Sequence, residues 1–273
     1  MKKIFIPIIA GVIFLAVGIC FMVYGFTRDD FDAKAYSLEN YEKDIREYEN
    51  NLFNQITFMA EVENLEILPT EDDFFTFEGK KSESLCYEYT IENNELIIDQ
   101  KWKDGIKSFF TLNTDMNITT PFIIKVPNEI LNKITIDVNI GDVDIKGINI
   151  DQMYLDIETG DLNINECEIN DLEFIVKCGN SDIEKTTSKI ITGSVDVGDL
   201  DFISVNTETI TADVSTGSCH FKGLIENNGD FSCDVGDLKL DLDGSNYRIN
   251  GVGSGSAIIT ADVNVGDFKF DYE

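Results

Sequence analysis

Val195-Asp196-Val197-Gly198-Asp199-Leu200-Asp201-Phe202 returns 19 residues later as Val214-Ser215-Thr216-Gly217-Ser218-Cys219-His220-Phe221, and again as Cys233-Asp234-Val235-Gly236-Asp237-Leu238-Lys239-Leu240. Its glycine belongs to a series, Gly141, Gly160, Gly179, Gly198, Gly217 and Gly236, with a constant spacing of 19. Self-similarity at a fixed period marks a repeat architecture. Each glycine is followed by a small polar residue, in order Asp142, Asp161, Asn180, Asp199, Ser218 and Asp237. Three positions earlier stand Val138, Ile157, Val176, Val195, Val214 and Cys233; four positions later stand Ile145, Ile164, Ile183, Phe202, Phe221 and Leu240. Polar residues fill most places between. Period-two alternation on both sides of the glycine reads as strand, and its repetition in register stacks equivalent side chains in columns. Glycine suits a corner that needs positive φ, and Asp, Asn or Ser tolerate the adjoining turn. The expected fold is all-β: a single-stranded parallel β-helix, or β-solenoid, of about 19 residues per coil, with coils stacked roughly 4.8 Å apart around one shared core.

Working outward, residues 131–242 hold six regular repeats. Val263-Asn264-Val265-Gly266-Asp267-Phe268 repeats the motif 30 residues after Gly236, so Asp243–Ser256 is expected to be a loop inserted before a final coil, 243–273 in all. Phe268, Phe270 and Tyr272 are candidates to close that end. Upstream, residues 56–130 read as further β structure, a cap or wider coils of the same solenoid, with a turn at Glu92-Asn93-Asn94-Glu95. Residues 27–55 read as an acidic stalk; Ser37-Leu38-Glu39-Asn40 resembles a capping box, which suggests a short helix around 38–50.

Ile4–Phe26 is an uncharged apolar run of 23 residues. At about 1.5 Å per residue it is long enough to cross a hydrocarbon layer roughly 30 Å thick. The run ends in Met22-Val23-Tyr24-Gly25-Phe26, which offers no small-residue cleavage site, and Ile19 is too bulky for a lipoprotein site at Cys20. Lys2 and Lys3 precede it and Asp29, Asp30 and Asp32 follow, so the positive-inside bias leaves residues 1–3 in the cytoplasm and the bulk of the chain outside. The expected localisation is a single-pass cell-membrane protein with the lipid bilayer as partner through residues 4–26.

The net charge is -30, from 51 acidic and 21 basic residues among 273. Such a potential repels nucleic acid. The 43% hydrophobic content and 19 phenylalanines exclude a disordered polyanion.

The chain also resembles a bacterial adhesin-like domain family of unknown function, the membrane-anchored β-strand-repeat proteins of low-GC Gram-positive bacteria. Glu92-Asn93-Asn94-Glu95-Leu96-Ile97-Ile98 is similar to that family's N-G-x-L-x-I hairpin. Pro121-Phe122-Ile123-Ile124-Lys125-Val126-Pro127, leading to Leu131-Asn132-Lys133-Ile134, is similar to its I-x-V-x-L-P lead-in, and the repeated Gly-Asp completes the likeness over about residues 55–273. The resemblance implies an extracytoplasmic β-helix. Some relatives lie in operons for envelope-stress responses, which implies a second role.

Three features of the repeats bear on chemistry. Asp142, Asp161, Asp199 and Asp237 would repel one another at coil spacing, and calcium would relieve this; Asn180 and Ser218 interrupt the ladder, and turn chemistry is the competing reading. Gly141, Gly160, Gly179, Gly198, Gly217, Gly236 and Gly266 are assigned structural turns. Cys167, Cys178, Cys219 and Cys233 occupy different columns at positions read as inward, as small core residues. His220 takes an outward column between Asp201 and Lys239, a surface pair rather than a base. No catalytic residue and no cofactor is expected. The polysaccharide-lyase reading suffers because residues 134–273 carry eight basic and 28 acidic residues. The leading expectation is a non-enzymatic cell-envelope module that binds, adheres or scaffolds, with an envelope protein or surface glycan as partner. The alternative is a regulatory or accessory protein of an envelope-stress pathway.

Overall fold

The computed structural model describes residues 42–82, 85–102, 120–127, 131–244, 246–253 and 255–272. The expected anchor, Ile4–Phe26, and the stalk up to residue 41 lie outside them. Among the described residues no helix is long and apolar enough to cross a membrane.

Twenty strands follow in chain order: β1 (Glu42–Glu49), β2 (Gln55–Val62), β3 (Leu65–Thr70), β4 (Phe74–Lys81), β5 (Leu85–Glu92), β6 (Glu95–Trp102), β7 (Phe122–Pro127), β8 (Leu131–Ile140), β9 (Val143–Lys146), β10 (Asn149–Thr159), β11 (Leu162–Asn165), β12 (Glu168–Cys178), β13 (Ser181–Glu184), β14 (Thr187–Val197), β15 (Leu200–Thr216), β16 (Cys219–Val235), β17 (Leu238–Leu242), β18 (Tyr247–Ile249), β19 (Ala257–Val265) and β20 (Phe268–Tyr272). From β8 onward each coil is a long strand, a glycine corner and a short strand. All pairing between these coils is parallel, and from β8 to β14 its register equals the sequence period: Leu155 lies beside Ile136 and Phe174, Ile164 beside Ile145 and Ile183. The long strands form one ladder and the short strands a second, with β15 and β16 passing through both.

The repeat begins earlier than glycine alone reveals. Strand β2 pairs in parallel with β8 and β3 with β9, so β2–β3 is a coil whose corner carries Glu63 and Asn64 in place of glycine and aspartate. Strands β6 and β7 add a further coil outside it. Beyond that the pairing turns antiparallel: β5 closes the first ladder against β6, and β4 and β1 close the second. The β5–β6 turn holds Asn93 and Asn94 at φ of 51° and 68°, the paired positive values a tight right-twisted hairpin requires.

Two expectations are corrected here. Residues 42–49 are neither helix nor stalk but strand β1; Tyr48 packs its ring edge on Phe53 and Phe77, and burial against the cap overrides the helical look of a charged sequence. Cys178 is exposed, because the two residues before each corner both face solvent.

At the other end the inserted segment supplies β18, which pairs with β19 over residues 257–259, and β19–β20 resume the register one coil beyond Gly236. Phe270 packs against the core, whereas Phe268 stays 39% exposed.

The core is a set of columns. Ile145, Ile164, Ile183, Phe202, Phe221 and Leu240 are all at or below 1% exposure. In a neighbouring column Phe174 is followed by Gly193. A Cβ built there would lie 2.2 Å from Phe174 Cζ, so this glycine is present for space, not for its φ.

Candidate functional site

The glycine corners come first, because they carry the candidate metal ladder. Gly198 has φ of +146°, and a Cβ on it would lie 1.9 Å from the carbonyl oxygen of Gly179. The corners therefore nest backbone on backbone, and only glycine fits. The side chain after each glycine bonds the next coil. Asp142 Oδ1 accepts the Asp161 amide at 2.9 Å, Asp161 Oδ1 accepts Asn180 at 2.7 Å, Asn180 Oδ1 accepts Asp199 at 2.9 Å, and Asp199 Oδ1 accepts Ser218 at 2.7 Å. Asn64 begins the series on Asp142, and Asp237 serves Asp267 after Gly266. These oxygens satisfy corner amides that the strand ladders leave over. The mutual spacing that suggested calcium is the spacing of this hydrogen-bonded ladder, and among the described residues no group of three or more His, Cys, Asp or Glu is placed to hold a metal ion.

His220 lies between Asp201 and Lys239, as its column requires. Its Nε2 is 3.0 Å from Asp241 Oδ2 and its Nδ1 3.7 Å from Asp201 Oδ1, while Lys239 bonds Asp241 as well. The group is a surface ion network across three coils. Cys167, Cys219 and Cys233 are buried. Burial pushes the Cys219 thiol well above its ordinary range, and a thiol so raised is a poor nucleophile.

A second corner, absent from the glycine pattern, opens a concave surface. Gly147, Glu166, Lys185 and Ser204 take φ of 68°, 58°, 47° and 58°, again at a spacing of 19. After each, the chain enters the long strand and bends almost at once. The ladder skips Asp151 and Asn170, passing from Ile150 to Gln152 on one strand and Ile169 to Asp171 on the next. Inward residues on either side of the bend, such as Ile150 and Met153, are three apart instead of two. The bends superpose into a groove of about 380 Å³ running along the solenoid over four coils.

One wall carries Asn149, Glu168, Thr187 and Asn206, the other Asp151, Asn170, Lys189 and Glu208, and Glu226 stands at the end. The floor is Ile150, Ile169, Ser188 and Thr207. The two hydroxyls turn to backbone carbonyls at the bend, Ser188 Oγ to Ile190 O at 2.9 Å and Thr207 Oγ1 to Thr209 O at 3.0 Å. Asn170 Nδ2 donates to Asp151 Oδ1 at 2.7 Å. Four carboxylates face one lysine, a local charge of -3 from the lining residues. Sequence reasoning did not find this groove. Its signal was present as the recurring three-residue gap Ile150/Met153 and Ile169/Leu172, but four different residue types at the bend hide it.

A buried carboxyl lies under the cap. Glu63 Oε2 accepts the Tyr87 hydroxyl, and burial pushes Glu63 up to about 7 against the Tyr87 bond and the Lys80 charge. Beside it Gln100 Oε1 accepts the Glu61 and Val62 amides while its Nε2 donates to Val62 O, tying the β6 coil to the β2 coil.

A family model described as Toastrack DUF4097 matches residues 53–263. No curated protein sequence matches the chain. Among solved structures, a candidate adhesin from Bacteroides fragilis NCTC 9343 is 17% identical with a TM-score of 0.53, over 84% of this chain and 97% of that one. A candidate adhesin from Parabacteroides distasonis ATCC 8503 is 13% identical with a TM-score of 0.45, over 85% of this chain and 97% of that one. A candidate lipid-binding protein from the same strain is 14% identical, also at 0.45, over 85% and 98%. At these identities the first bears on the fold alone.

Proposed function

The chain belongs to the Toastrack DUF4097 family, and from that premise we propose that it is a non-enzymatic, adhesin-like binding module of the cell envelope. In this reading residues 4–26 hold the domain to the membrane and the solenoid stands outside the cytoplasm. The groove along the bends is the binding surface.

The observation that carries the proposal is that groove: four coils of amides, hydroxyls and carboxylates, repeated at coil spacing and bearing a local charge of -3. Rows of hydrogen-bonding groups repeated along one axis suit an extended polar polymer. The acidic balance selects one that carries ammonium or other cationic groups and disfavours polyanions. An array without a distinguished pair of groups suits holding a ligand rather than transforming it.

The test is cross-linking of the full-length protein in its native membrane, comparing wild type with Asn206→Arg/Glu208→Arg, which fills the groove and neutralises its charge. Recovery of wall polymer or foreign surface material by wild type, lost in the variant, is the expected result. Recovery of one discrete signalling protein in near-equal amount, unaffected by the substitutions, would sink this reading and establish the regulatory alternative.

A further inference from the structure

The floor of the groove is one column of the core: Leu131, Ile150, Ile169, Ser188, Thr207 and Ile225, each beside the next in neighbouring strands. Aliphatic side chains fill this column at both ends, so the bend itself asks for no hydroxyl. Ser188 and Thr207 are nonetheless only 5% and 3% exposed, and a hydroxyl buried without a bond is costly. Each has one proton to give, and backbone carbonyls claim it. Ser188 Oγ lies 2.9 Å from Ile190 O and 3.2 Å from Asn170 O, and Thr207 Oγ1 lies 3.0 Å from Thr209 O and 3.3 Å from Lys189 O. What the two hydroxyls leave for the groove is lone pairs. The floor is therefore apolar over β10 and β12 and hydrogen-bond-accepting over β14 and β15.

The walls divide at the same place. Over β10 and β12 one wall closes on itself, Asn170 donating to Asp151. Over β14 and β15 Lys189 and Glu208 hold equivalent positions, 19 residues apart. Lys177 with Glu158 and Lys185 with Glu166, at the same spacing, form ion pairs. Lys189 and Glu208 do not, and Glu226 at the end of the groove has no ion pair either among the described residues. Two carboxylates beside an accepting floor are left without a cation.

Taking the groove as the binding surface, as the proposed function does, we propose that it is two subsites in series and that its ligand is a partly N-acetylated amino-sugar polymer. An acetamido group lays its methyl on Ile150 and Ile169 and turns its N–H to Glu168 on the wall. A free ammonium sits over Thr207 and donates to the hydroxyl oxygen and to the carboxylates of Glu208 and Glu226, as charge-assisted bonds. An ammonium has three donors and no acceptor, which matches a subsite that only accepts. Lys189 stands between the two subsites and repels an ammonium from the boundary. A fully acetylated polymer would leave the two carboxylates covered and unpaired. A fully deacetylated one would set an ammonium on isoleucine.

The test is the binding of amino-sugar tetramers to the full-length chain in mild detergent at physiological salt, where attraction to the acidic surface at large is screened beyond about 8 Å. The probes are tetramers of N-acetylglucosamine, of glucosamine, and of an acetylated block joined to a free-amine block in each order. The better of the two block tetramers is expected to bind at least about tenfold tighter than either uniform one. Thr207→Val/Glu208→Gln keeps the shape of both side chains and removes an acceptor and a charge. It should cost the block tetramer that tenfold and leave the acetylated tetramer unchanged. The column already holds isoleucine on either side, and unchanged circular dichroism serves as the control for folding. A uniform tetramer that binds as well as the block one overturns the proposal, and so does a block tetramer indifferent to the double substitution. If no tetramer binds while Asn206→Arg/Glu208→Arg still abolishes polymer recovery from the membrane, the amino-sugar assignment alone fails. If that variant recovers polymer as wild type does, the groove is not the binding surface and both readings fall.

Discussion

At the scale of single residues, the corner glycines and the core glycine are required for different reasons, and substitutions separate them. Gly198→Ala combines a φ that side chains avoid with a collision against the Gly179 carbonyl. A loss of at least about 3 kcal/mol is expected in denaturant unfolding. Gly193→Ala meets only the ring of Phe174, which has neighbours to shift against, so the expected loss is smaller, about 1–3 kcal/mol. The opposite sign is expected at Ser181. It stands in the column Val143, Leu162, Ser181, Leu200, fully buried, with its hydroxyl unpartnered. An unsatisfied buried hydroxyl costs about 1–3 kcal/mol, so Ser181→Ala should raise the unfolding midpoint despite the small void it leaves. A lower midpoint would mean the hydroxyl has a partner. The glycine corner was legible in the sequence because one residue type alone satisfies it. The second corner was not, because Glu166, Lys185 and Ser204 adopt positive φ under the constraint of the stacked coils and share no side-chain chemistry.

At the scale of elements, the parallel strands were readable from alternation and the antiparallel cap was not. Strand β1 has a burial pattern with one buried residue, Asp44, so it offers no apolar period. Its conformation is decided by its eight-residue pairing with β4, a tertiary fact. The cap also holds the titratable feature of the fold. In the unfolded chain Glu63 releases its proton near 4.5, and in the folded chain only near 7. Between these values the folded state keeps a proton that the unfolded state has lost, so stability falls as pH rises through this window and levels off above it. The shift corresponds to about 3 kcal/mol. The groups facing it from β4 and β5 are the charged Lys80 and the neutral Tyr87 hydroxyl. Glu63→Gln keeps an acceptor for Tyr87 but cannot ionise. It should remove this descending limb and be the more stable protein at pH 8, whereas parallel pH profiles for the two proteins would show that Glu63 ionises as freely in the fold as out of it.

At the scale of the whole molecule, the solenoid is nearly one-dimensional: each coil touches the one before and the one after, and stability adds up coil by coil. This is why so much of the architecture could be read from one chain, since a single spacing of 19 fixes register from β8 to β17, save where Val205–Thr207 of β15 pair with Gly223–Ile225 at a spacing of 18. It is also why the groove could not be, since a surface formed by superposed bends belongs to no single repeat. The same property yields a prediction about length. Excising residues 180–198, one full period, joins Gly179 directly to Asp199 and leaves every column, corner and side-chain ladder in register. That protein should keep its β-type circular dichroism and melt cooperatively, at a lower temperature because one interface between coils is lost. Excising residues 180–188 removes about half a coil, places outward residues against the core and misaligns the corners, and should abolish the folded state. The shortened groove of the first variant lacks Lys189 and one rung of each wall. If the groove binds its ligand along the axis, affinity should fall with the missing rung while folding is retained; equal affinity in the shortened protein would place binding elsewhere on the solenoid.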